Sequence, residues 1–157
     1  MWARVAGAVV VWLGRLVARL QRHEARPLAD DEVALLEAVF RGSVALDRVR
    51  VVPGPAGVFD VNDRPFTLGN TIYLKGRTSP KLLVHEAVHV WQYQHLGPRY
   101  AYDALMAQRR LGKGAYDWRA ELARGKAWPD FNAEAQAEYV ADHWAEGNPV
   151  LGTLFRA

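Results

Sequence analysis

The chain has 157 residues, half of them hydrophobic and 24% charged, which suits one domain with a buried core. With 20 Lys+Arg against 17 Asp+Glu, a net charge of +3 is too balanced to argue for a nucleic-acid partner. Cysteine is absent, so disulfides and thiolate metal sites are excluded, and any bound metal must rely on His and carboxylate.

Residues 1–26 predict a basic amphipathic helix, separate from a domain over 27–157. Arg4, Arg15, Arg19, Arg22 and Arg26 fall in one stripe at 100° per residue, with Trp2, Val5, Val9, Trp12, Leu13, Leu16 and Leu20 towards the other side. The uncharged run from Val5 to Gly14 is too short to span a bilayer, which needs ~20 residues. No small-x-small cleavage site follows it, as a signal peptide would require. Two readings stay open: the helix packs its apolar side on the domain, or it rests on an anionic membrane surface.

After the break at 23–27, VALLEAVF supplies the apolar face of a second helix, with Asp30 or Asp31 as its cap and Gly42 as its end. Val49, Val51 and Val52 predict a short strand, stopped at Pro53. Residues 66–74 (FTLGNTIYL) predict a second strand, with Gly69-Asn70 as a bulge or turn. Ser79-Pro80 is a helix start, Ser as cap and Pro in the first turn, and Gly97-Pro98 is its stop. A further helix over 99–111 ends at Gly112-Lys113-Gly114, and 116–122 is ambiguous between strand and helix. Asp130 or Asn132 caps a last long helix that runs to Trp144. The expected class is α+β, mostly helical, with a small sheet beside a central helix.

That central helix contains His85-Glu86-Ala87-Val88-His89, an H-E-x-x-H motif. Side chains four apart share a helix face, so both imidazoles can reach one ion. Zinc accepts His nitrogen at ~2.0–2.1 Å and in catalytic sites keeps one position for water. Glu86 lies ~100° round the helix from His85, where it can contact that water rather than join the pair. The expected chemistry is a zinc-polarised carbonyl attacked by water whose proton Glu86 removes and later passes to a leaving amine. The flanking Leu82, Leu83, Val84, Val88, Val90 and Trp91 mark a buried helix, where two His and a Glu are costly unless something pairs them.

A third ligand is needed. His95 has the spacing of the H-E-x-x-H-x-x-G-x-x-H form, but Gln92 stands where Gly must break the helix, so His95 would lie ~9 Å further along. Glu134, Glu138 and Asp142 recur every four residues on the last helix and share a face. Glu134 and Glu138 are therefore the candidate ligands, with Asp142 as an outer residue orienting a ligating His.

At these residues the chain resembles the zincin-like core-domain family of extracellular contractile injection systems and Vgr-associated proteins. The resemblance is carried by LDRVRV (46–51), RPFTLGNTIYL (64–74), KLLVHEAVHVWQ (81–92) and, later, EAQAEYVAD (134–142). It implies a zincin-like fold and zinc held by His85 and His89, with Glu86 as catalytic group. Glu134 takes the first position of a Glu-Gln-Gln-Ala element, which favours it over Glu138, although Ala135 replaces the first Gln. It further implies a peptide or protein substrate, a secretion-system context, and export or delivery to another cell. In zincins substrate lies along a strand beside the active helix, here expected within 67–74. Tyr100, Tyr102, Tyr116, Tyr139 and His143 are equal candidates for an oxyanion donor.

Overall fold

A computed structural model describes residues 25–57, 60, 63–148 and 151–155, with the single positions Val9, Trp12 and Leu16. Of the basic helix expected over 1–26, those three positions are helical and exposed, Ala25 and Arg26 are not helical because Arg26 pairs with Val51 instead, and the rest lies outside the described residues. No helix among the described residues is long and apolar enough to cross a membrane.

The elements are α1 (Asp30–Phe40), β1 (Arg50–Val52), β2 (Phe66–Leu68), β3 (Thr71–Tyr73), α2 (Pro80–Leu96), α3 (Arg99–Leu111), α4 (Trp118–Ala123), α5 (Ala133–Ala145) and a final turn, α6 (Leu151–Leu154). The chain is thus mostly helical α+β, and the ambiguous segment at 116–122 resolves as a 3-10 turn running into α4. Neither Asp30 nor Asp31 caps α1: the cap position is Ala29. Glu32 reaches back to accept the Ala29 N–H at 2.8 Å, and Arg26 fixes that carboxylate with bonds of 2.6 and 2.7 Å. This supplies half of a capping box without a capping side chain.

The sheet order is β1-β3-β2, with β1 parallel and β2 antiparallel to β3. The segment expected as one strand over 66–74 is a hairpin. Leu68 pairs with Thr71 around a two-residue turn, and Gly69 holds φ +64°, a conformation that glycine adopts without strain. β3 is therefore interior, and β2 alone of these two offers an outer edge. The outer edge of β1 is covered at Val51 by a bridge to Arg26.

Helix α2 begins as expected. Ser79 Oγ accepts the Leu82 N–H and Pro80 opens the helix, which ends at Leu96 with Gly97 at φ +71°. Its Leu83, Val84, Val88 and Val90 are buried among Phe40 of α1, Val51 and Ile72 of the sheet, and Val140 of α5. Each such side chain contributes ~1.5–3 kcal/mol of burial energy. The α2–α5 pair is the main helix contact. Ala137 and Ala141 are fully buried on α5, and residues this small let the two backbones approach closely. That approach brings the acidic stripe of α5 to the histidines of α2.

Candidate metal centre

His85, His89 and Glu134 are all buried, and one ligand atom from each lies within 4.8 Å of the other two. Glu134 Oε2 stands 3.4 Å from the Nε2 atoms of both histidines. His95 takes no part: it is exposed, with Nε2 2.7 Å from the Ser43 carbonyl.

The other imidazole nitrogens are held elsewhere. His85 Nδ1 is 3.0 Å from Glu138 Oε2, an acceptor, so Nδ1 is the donor. His89 Nδ1 is 2.8 Å from Gln92 Oε1. The amide orientation of Gln92 is fixed because its nitrogen donates to the Ala133 carbonyl at 3.0 Å and to Gln136 Oε1 at 2.8 Å. With both Nδ1 atoms donating, each imidazole directs its Nε2 at Glu134, and loss of the Nε2 proton would bare a lone pair there. Two imidazoles and one carboxylate, each oriented from behind, fit the three-ligand pattern of catalytic zinc.

Of the two candidate ligands, then, Glu134 faces the shared Nε2 space, whereas Glu138 sits behind His85. Asp142 touches neither histidine. It accepts from Trp118 Nε1 at 2.8 Å and Lys81 Nζ at 2.6 Å, and Lys81 also donates to Glu138 at 3.0 Å. Asp142 therefore acts on His85 only through Lys81 and Glu138. Glu134 Oε1 accepts from Gln108 at 2.7 Å, and the same amide reaches the Tyr116 hydroxyl at 3.1 Å.

Glu86 lies beside this group, with Oε2 2.8 Å and its carbonyl 3.0 Å from Thr67 Oγ1 on β2. Burial pushes its carboxyl up, against the two imidazoles and the Thr67 hydroxyl. Burial alone would likewise raise Glu134, yet the charge of His89 and bonds to both imidazoles hold it far below the usual carboxylate range. For His85, burial opposes the charged form, but Glu134 and Glu138 outweigh it and push the imidazole up to about 10. Without metal this shift contributes stability that is full below the unfolded value of ~6.5 and is lost as pH rises through about 10. An imidazolium carries its proton on the lone pair a metal needs. Uptake of a divalent metal by this group at pH 7 should therefore release protons, with apparent affinity rising with pH. Calorimetry in buffers of different ionisation enthalpy measures this; a buffer-independent heat contradicts it.

Sequence reasoning did not find Gln92, Gln108, Gln136 or Thr67. Gln92 carried a signal: three residues after His89 it shares that helix face. It is fully buried, and its partner Gln136 also donates to the Trp128 and Pro129 carbonyls. Gln92→Leu should strand buried polar atoms, costing about 1–3 kcal/mol, and weaken zinc binding about 10–100-fold. Denaturant melts and metal competition titrations read the two effects; unchanged zinc affinity would show that the orientation of His89 does not depend on this amide.

Among the five oxyanion candidates, Tyr100 binds the backbone of β2, its hydroxyl donating to Thr67 O and accepting from Gly69 N, both at 3.0 Å. Tyr139 and His143 pack on each other at 3.9 Å, with Trp118 against both. Tyr102 lines neither lobe of the cleft over the site, whereas Tyr116 lines both.

No family model matches the chain, and no solved structure does. Among curated proteins it is similar to the type VI secretion system spike protein VgrG2b of Pseudomonas aeruginosa, with 28% identity over 159 residues. The alignment covers 93% of this chain but 15% of the spike protein, so the likeness is to a small part of that longer molecule.

Proposed function

We propose that this chain is a zinc-dependent peptidase domain with a zincin-like fold, working in association with secretion machinery. The convergence of His85 Nε2, His89 Nε2 and Glu134 Oε2 on one buried spot carries the reading. A zinc ion held there by His85, His89 and Glu134 would supply Lewis acidity and make a nearby water easier to deprotonate. Glu86, steadied by Thr67, takes the proton from the attacking water and returns it to the leaving amine. Burial pushes Tyr116 up to about 12, so its phenol keeps its proton at neutral pH and can donate to an oxygen gaining negative charge.

The likeness to a spike protein supports the secretion context and also a second reading, in which the fold serves as a non-catalytic adaptor or targeting module. Both readings accommodate bound metal, so metal content alone does not separate them. Cleavage of casein or a peptide library, with and without a chelator, does: chelator-sensitive hydrolysis supports the peptidase, and inert protein with one equivalent of zinc supports the adaptor.

A further inference from the structure

The cleft over the metal group has two unlike lobes. One, of about 370 Å³, opens beside Lys81, His85 and Glu86 and is bordered by Arg64 and Arg77. The other, of about 210 Å³, opens beside His89 and is walled by Phe66, Leu68, Tyr100, Ala101 and Leu105. Tyr116 and Glu86 border both, so a chain crossing Glu86 enters one lobe with each flank.

Three cationic side chains border the first lobe among the described residues. Lys81 is engaged by Glu138 and Asp142. Arg64 and Arg77 are exposed at the lobe, and Arg64 also bonds the Tyr116 phenol. The strand edge supplies little compensating recognition, because Tyr100 already occupies the outward Thr67 carbonyl and Gly69 N–H. A peptide cannot pair along the full length of β2, so its side chains must contribute more of the discrimination.

We propose that the cleft selects peptides bearing a carboxylate on one flank of the scissile bond, held by Arg64 and Arg77, and an apolar side chain on the other, seated against Phe66 and Leu105. This rests on the peptidase reading and names its substrate class. A guanidinium presents the planar donors that carboxylates take up in bidentate fashion. The carboxylate can belong to an Asp or Glu side chain or to the end of the peptide chain.

Matched quenched-fluorescence peptides with Glu, Gln or Lys at each position flanking a central apolar residue test this, each made with a free and an amidated C-terminus. The Glu peptide in one register should be cleaved about tenfold faster, in kcat/KM, than its Lys counterpart. The double variant Arg64→Glu, Arg77→Glu should invert that order, read as the ratio of Lys to Glu peptide cleavage within the same variant. A preference surviving amidation assigns the carboxylate to a side chain; one lost on amidation assigns it to the chain end. Equal cleavage of Glu, Gln and Lys peptides overturns the selectivity while the peptidase reading stands. If no peptide is cleaved, the peptidase reading falls, and fluorescence anisotropy of the labelled peptides on the zinc-loaded chain decides the lobe. Binding of Glu over Lys peptides that is lost in the double variant sustains the carboxylate site, and binding without preference overturns it.

Discussion

Replacing Glu86 with Gln should lower kcat/KM by about 10²–10⁴-fold, the range assigned to a positioned proton-transfer group, while zinc content stays at one equivalent. The structure explains why the two readouts separate. Glu86 is not among the three groups that converge on the metal position, so its charge is not needed to hold the ion. Thr67 can donate to an amide oxygen as it does to Oε2. Burial already disfavours the charged carboxylate, so a neutral isostere should fold at little cost. Peptide hydrolysis assayed beside elemental analysis of the same sample gives both numbers. A variant that cleaves as fast as the native protein removes Glu86 from the chemistry.

The second large effect is on metal affinity, and it discriminates between acids one helical turn apart. Glu134→Gln should weaken zinc binding by more than ~100-fold, because it removes a charged donor facing the shared site, a larger loss than the 10–100-fold typical of outer residues. Glu138→Gln should fall within that smaller range, since it leaves all three converging atoms in place and alters only the partner of His85 Nδ1. Competition titration with a chromogenic chelator ranks the variants. The reverse order, with Glu138→Gln the more damaging, would make Glu138 the ligand and require α5 to turn relative to α2.

Much of the fold was legible because its signals are local. Ser79-Pro80 and Gly97 bracket α2, and Asn132 accepts from the backbone N–H of Glu134 and Ala135 to start α5. The choice between Glu134 and Glu138 was not legible in the residues themselves, as both lie on one face a turn apart. It depends on how closely α5 meets α2, which buried Ala137 and Ala141 permit but no local pattern specifies. Gln92 was passed over for a related reason. Its position was read for the glycine it lacks, whereas its role depends on a carbonyl at Ala133, distant in sequence. The hairpin was half legible: Gly69-Asn70 signalled a break, but only the pairing of Leu68 with Thr71 shows that it reverses the chain and moves the exposed edge to β2.

The phenol of Tyr100 on the outer side of β2 also bears on behaviour at high concentration. An uncovered edge of a small sheet is a template on which a second copy can add its own strand, the first step towards intermolecular aggregates. By satisfying one outward carbonyl and one outward N–H, a single side chain stands in for the missing neighbour. Tyr100→Phe keeps the ring and removes the hydrogen bonds, so it should leave the fold in place while making concentrated protein more prone to self-associate, visible as a rising scattering mass.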